Sequence, residues 1–201
     1  VSNIYKSFMD AAAVNAKGGS PIAGELAQVD SITSLTDFVS TFSKLEARGT
    51  SGIFGTFIYA DMKDASTNIL YLVQGGISLP DEAYYREEKY ADIRTAYLAH
   101  ITAMFTLAKV SNPAENAAKV MALETSIASH HWDQVKNRDA TLTYNKMDRA
   151  QVKALMPAFD WDLYLADGEI PGIVLDSVIV QQPSFFEGLG TILANFDVAA
   201  W

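Results

Sequence analysis

The stretch Gln74-Gly75-Gly76-Ile77-Ser78-Leu79-Pro80-Asp81-Glu82-Ala83-Tyr84-Tyr85 stands where two hydrophobic patterns meet. Before it, Ile53 to Ala60 and Ile69 to Val73 are rich in β-branched and aromatic residues, the composition of strands. Asp61 to Asn68 between them is polar, so the pair reads as a β-hairpin with a longish loop. After the stretch, Tyr90 to Val110 carries apolar residues at helical spacing. Ile93, Tyr97, Ile101, Met104 and Leu107/Ala108 form its expected buried side. Gly75-Gly76 breaks the second strand. Pro80-Asp81 opens a helix, because the first turn has no use for the N–H that proline lacks.

Helices flank this centre on both sides. Ile4, Phe8, Ala11 and Ala12 recur at helical spacing up to Lys17-Gly18-Gly19, and a second helix runs from Ser20-Pro21 to about Ile32. A third starts at Asp37, with Phe38, Phe42 and Leu45 on one stripe and Gly49 as its stop. Asn112, Pro113 and Glu115 spell a cap, a first-turn proline and a capping-box partner for a helix reaching about Lys136. Asp148 caps a short helix ending near Pro157. Ile173 to Val180 reads as a third strand and Phe185 to Leu193 as a last helix. The fold class expected is mainly α, a multi-helix domain with a small β-hairpin.

Composition narrows the function. The chain has 201 residues, 49% of them hydrophobic and 19% charged, an ordinary globular balance. A net charge of −9 argues against nucleic acid and anionic membrane as partners, since both require clustered Lys and Arg. With no cysteine, disulfides and thiolate ligands are excluded; a cytoplasmic and an exported bacterial protein both fit. No apolar run reaches the roughly 18 residues of a membrane span. The sequence starts at Val1 with no signal-peptide pattern, and Asp197 to Trp201 reads as the start of a further helix. Residues 1–201 are therefore expected to be one domain fragment, truncated at both ends.

Chemistry-bearing residues are sparse. His100, His130 and His131 are the three histidines, and none has a histidine partner at i+4, the spacing that puts two zinc ligands on one helix face. His130 and His131 diverge by about 100° on a helix. Val120, Ile127, Ala128 and His131 put Glu124 on an apolar stripe, where a carboxylate has to be neutral or paired. It is either an acid/base or ligand, or a structural carboxylate bonded to backbone N–H groups or Arg; the structural reading is preferred. Glu88 and Asp92 match Glu-x-x-x-Asp, a short pattern without weight away from a histidine pair. Tyr84, Tyr85, Tyr90 and Tyr97 lack interleaved basic residues and read as packing tyrosines. No phosphate-binding glycine loop or nucleophile elbow occurs.

The opening stretch resembles the Gln-Gly-Gly-Leu-Gly-Leu-Pro-Asp-x-x-Tyr-Tyr segment of neprilysin-like zinc endopeptidases, departing from it at Ile77 and Ser78. Ser78 replaces a glycine, which disfavours a positive φ there. Other matches follow in the family's order: Tyr5 to Asp10 with Asn15 and Pro21-Ile22, the hairpin loop Asp61 to Ser66, Ala122 to Ala128 with Trp132, Phe159-Asp160-Trp161 with Tyr164, and Val178 to Val180 with Pro183. The resemblance covers close to the whole chain.

It implies the family's N-terminal, non-catalytic region, a helical lid that walls an internal cavity and limits substrates to peptides. The family's His-Glu-x-x-His, Glu-x-x-x-Asp and Asn-Ala-x-Tyr motifs lie C-terminal to the matched region. No catalytic or metal residue therefore carries over, and zinc belongs to the parent protein. The chain alone is expected to be inactive, with its own C-terminal catalytic domain as partner and peptides as the parent's substrates. Gly75, Gly76, Leu79, Pro80, Asp81, Tyr84, Tyr85 and Glu124 match family positions and are expected to be fold-forming. The alternative is a stand-alone helical module that binds peptide or protein without catalysis. An isolated lid also exposes apolar surface and invites self-association.

Overall fold

Residues 2–198 and 200–201 are described by the computed structural model. The N-terminal segment is helical but divided: α1 (Ser2–Met9) and α2 (Ala11–Lys17) part at Asp10, whose carboxylate accepts the Ala13 N–H at 3.0 Å and caps the second helix. A 3₁₀ turn, Ser20–Ile22, leads into α3 (Ala23–Asp30). Helix α4 (Leu35–Glu46) begins two residues before the expected Asp37 because Ser34 caps it. It buries Phe38, Val39 and Phe42.

Strands β1 (Phe54–Asp61) and β2 (Asp64–Gln74) form the hairpin. Its loop is much shorter than expected: Asp61 pairs with Asp64, and Met62-Lys63 alone join them. The polar residues that looked like a loop are the exposed start of β2, where no apolar alternation is needed because that part of the ribbon faces water.

Beyond β2 come the four-residue α5 (Ala83–Arg86), a 3₁₀ turn (Glu88–Tyr90), and the packed pair α6 (Ala91–Leu107) and α7 (Pro113–Ala128). The expected buried side of α6 is only partly covered. Ile101 is buried and Tyr97 half-buried, while Ile93, Met104 and Leu107 are exposed. The capping box at Asn112 does not form: Asn112 sits at φ +48 without a side-chain cap bond, and Glu115 pairs with Lys119. Helix α7 also stops at Ala128 rather than near Lys136, and a separate turn of helix, α8 (Gln134–Asn137), follows.

Three elements escaped the sequence reading: α8, the two-residue β3 (Lys146–Met147), and α10 (Trp161–Asp167). Between β3 and α10 lies α9 (Arg149–Leu155), with the expected Asp148 cap completed by Gln151. The third strand is confined to β4 (Val178–Val180), since Gly172–Leu175 is a 3₁₀ turn. Helix α11 (Pro183–Ala194) closes the order. The helix expected from Asp197 to Trp201 includes Ala199, which lies outside the described residues.

The hairpin is half of a four-stranded sheet in the order β1-β2-β4-β3, with β4 parallel to β2 and antiparallel to β3. One face carries Phe54, Leu72, Val178 and Val180 into the main core, against Phe42 of α4, Val152 of α9 and Met156 just after it, Trp161 and Tyr164 of α10, and Phe185 and Phe186 of α11. The opposite face holds the smaller group Ile69, Tyr71 and Ile179 under Tyr144. Strand alternation produces both faces from one sequence.

Candidate functional site

The segment from Gln74 to Tyr85 leaves the sheet and passes directly against the start of β1. Gly76 takes φ +76, and a Cβ on it would lie 2.9 Å from the Ile53 carbonyl oxygen; a Cβ on Gly75 would lie 3.0 Å from Phe54 Cα. Only glycine fits such an approach at that φ. Ser78 is not among the residues with positive φ, so the family's glycine is not required there.

Gln74 does what a missing strand would do. Its N–H donates to Gln182 Oε1 at 3.0 Å. Its side-chain amide pairs with both backbone groups of Trp132, donating to the carbonyl at 3.0 Å and accepting the N–H at 2.8 Å. That pairing pulls the chain after Ala128 away from helix, which is why α7 ends early. His131 follows the same turn. Its Nε2 lies 2.8 Å from the Gly75 carbonyl and so carries the proton, and its ring meets Phe185 edge-on. Burial pushes the His131 pKa below its ordinary value.

Glu124 is the polar centre. Its Oε1 accepts the Ser78 hydroxyl at 2.8 Å and the Tyr97 hydroxyl at 2.9 Å. Its Oε2 accepts the Tyr85 hydroxyl at 2.7 Å. The partners are three hydroxyls, where backbone N–H groups or Arg were expected. Tyr85 Oη also accepts the N–H groups of Ser78 and Leu79 at 3.1 and 3.0 Å. Burial raises both tyrosines, Tyr97 to about 12, so they remain donors at neutral pH. Leu79 and Tyr85 are buried with Ala128, against Ile77, Tyr84, Tyr97 and Met121. Asp81 accepts from the Ala83 N–H and from Gln134 Nε2, while Tyr84 stacks on Tyr90 at 4.0 Å. Of the residues singled out in the sequence, Gly75, Gly76, Leu79, Asp81, Tyr84, Tyr85 and Glu124 thus converge on one region, with Pro80 exposed beside them.

Chemically, this arrangement holds backbone in place. Three donors fill most of the acceptor capacity of Glu124. A zinc ion does not fit the residues present: among the described residues no three His, Asp or Glu side chains converge on a common point. His131 is engaged with Gly75, His130 packs against Gly188, and His100 lies on the exposed side of α6. His130 and His131 lie beyond the end of α7, not within it.

The sequence model of peptidase family M13 matches residues 1–201. The chain belongs to peptidase family M13. Human endothelin-converting enzyme 1 is 27% identical over 157 residues, covering 74% of this M13 chain and 20% of that enzyme. Mouse membrane metallo-endopeptidase-like 1 is 28% identical over 156 residues, with 70% and 20% covered. Among solved structures, zinc metalloprotease Zmp1 of Mycobacterium tuberculosis in complex with an inhibitor superposes with a TM-score of 0.93 at 34% identity. The match covers 98% of this chain and 30% of that one. PepO from Lactobacillus rhamnosis shares the fold, with a TM-score of 0.73 at 20% identity. The chain therefore spans a fifth to about a third of the relatives it matches, in the N-terminal domain of M13 zinc metallopeptidases. No helix among its described residues is long and apolar enough to cross a membrane.

Sequence reasoning missed Gln74, Ser78 and Tyr97 as members of the hub. Tyr97 was assigned to an apolar stripe by its spacing. Nothing in one dimension links it to Glu124, 27 residues on.

Proposed function

We propose that this chain forms one wall of the substrate chamber of a zinc-dependent endopeptidase whose zinc, general base and substrate-binding strand reside in another part of the same polypeptide. The observation that carries this is the match over 98% of this chain to 30% of Zmp1, a zinc metalloprotease. Residues 1–201 act in this reading as part of a longer protein. The Gly75–Tyr85 segment and Glu124 serve the shape of the wall and do not touch the reacting atoms. In the parent, zinc supplies Lewis-acid polarisation of the peptide carbonyl and an activated water.

The test uses the gene's longer product beside the 201-residue chain. The continuing reading frame is expected to encode His-Glu-x-x-His. Its product should hold one zinc per chain in metal analysis and cleave peptides, while the short chain does neither. A stop codon directly after Trp201, or stoichiometric zinc with turnover in the short chain, overturns the reading.

A further inference from the structure

A groove of about 790 Å³ runs between the Asn15–Ala23 turn and the C-terminal end of α6. Ile22 and Leu26 supply one apolar wall, Met104 and Leu107 the other. Leu107 is 74% exposed and Ile22 53%, although both are large and apolar. Lys17 and Lys109 line the same groove. Among the described residues neither has a carboxylate within ion-pairing distance, in a chain of net charge −9 where nine of the thirteen other basic side chains are paired.

Two further features mark this place. Lys109 adopts φ +60 after the last turn of α6, a left-handed position that glycine favours. A lysine stands there against its backbone preference. A Cβ on Gly18 or Gly19, which also line the groove, would meet nothing within 4 Å, so the backbone beside Lys17 lies open.

An apolar trough flanked by two unpaired ammonium groups fits a partner that is apolar along its length and singly anionic. Nucleic acid does not fit, because two cations on an acidic protein cannot offset a row of phosphates. We propose that the groove binds the carboxy-terminal end of an apolar peptide, with the carboxylate held by Lys17 and Lys109 and the last side chains laid between Ile22, Leu26, Met104 and Leu107. The choice of a peptide rests on the peptidase reading above: every hydrolytic cut leaves one product with a new terminal carboxylate. The groove is then a product-side exosite on the chamber-forming half of the enzyme.

The probe is an acetylated apolar tetrapeptide ending in Phe-Leu with a free carboxylate, compared with its C-terminal amide. Binding to the 201-residue chain is followed by NMR amide shifts and fluorescence anisotropy. The carboxylate form is expected to bind about tenfold tighter, since wet ion pairs are individually weak. Shifts should centre on Gly18, Gly19, Leu107 and Lys109, and the advantage should shrink with salt. Lys17→Gln combined with Lys109→Gln should abolish it. Lys109→Gly should also weaken binding while leaving the melting temperature unchanged or higher, which separates lost recognition from lost folding. Equal affinity for acid and amide, shifts elsewhere on the molecule, or a preference for a medium-chain fatty acid over the peptide overturns the proposal. If the peptide fails while the longer product holds zinc and cleaves, the groove inference alone falls. If the peptide binds and no zinc enzyme exists, the peptidase reading falls instead.

Discussion

Tyr85 shows how much one side chain carries in this fold. Its hydroxyl accepts two backbone N–H groups, from Ser78 and Leu79, and donates to Glu124. Tyr85→Phe keeps the ring and leaves those amides without an acceptor, which is expected to lower stability by about 2 kcal/mol in urea denaturation. A loss under about 0.5 kcal/mol would show that water replaces the hydroxyl there. His131 makes a pH-dependent contribution. Burial lowers its folded pKa, with Glu82 and the Gly75 carbonyl opposing and His130 assisting. The folded state thus binds fewer protons than the unfolded one, whose histidine titrates near 6.5. Stability is present in full above that value and declines as pH falls through it toward the folded pKa. Urea midpoints measured from pH 7.5 to 5 should drop for the unaltered chain and stay flatter for His131→Gln. The sequence marks Tyr85 by its motif position and His131 by its place on a stripe, but not their partners, which lie up to 56 positions away.

Among elements, the passage of Gly75-Gly76 against Ile53 and Phe54 at the start of β1 is a close join. Gly76→Ala adds a Cβ 2.9 Å from the Ile53 carbonyl at a φ of +76. A loss of about 3 kcal/mol is expected, from left-handed strain plus overlap with backbone that cannot yield. Gly24→Ala is the contrast. It lies in α3 where a Cβ meets nothing within 4 Å, so helix propensity predicts a gain of about 0.7 kcal/mol. Thermal melts of both variants check the pair; equal effects would contradict the assignment of strain to that passage. The sheet shows why elements were only partly legible. Asp61 ends β1 with its side chain 1% exposed, bonded to Lys146 at 2.9 Å and to Tyr144, which ties the hairpin to β3. The backbone N–H of Lys63 and the side-chain ammonium of Lys146 hold its pKa at about 2. A polar turn residue in the sequence is thus a fixed joint between strands 85 positions apart.

Over the whole molecule, the N-terminal helices depart most from a finished surface. Ile4, Tyr5, Phe8 and Met9 of α1 are each more than half exposed. An apolar stripe of this kind marks a surface that associates. Phe8 is 80% exposed, so Phe8→Ser should change the chain's own stability by less than about 0.5 kcal/mol while reducing self-association in sedimentation velocity. A large loss of stability would mean that α1 packs inside the chain.

The sequence by itself determined the α-rich class, the hairpin, the Asp148 cap, the last helix and the family. Each rests on local periodicity, on capping chemistry or on an ordered series of short matches, and none needs a distant partner. Tertiary structure alone decided the fourth-strand extension of the hairpin, the early end of α7 and the three hydroxyls on Glu124. In each case a local preference is overruled by contacts between residues far apart in the chain. β3, two residues long, does not declare itself without β4 beside it, α7 yields to the Gln74 amide at Trp132, and the Glu124 partners come from two other segments. The same holds for the glycines of the opening stretch: their order in the sequence named the relatives, and the passage of Gly76 against Ile53 supplies the physical reason they are glycines.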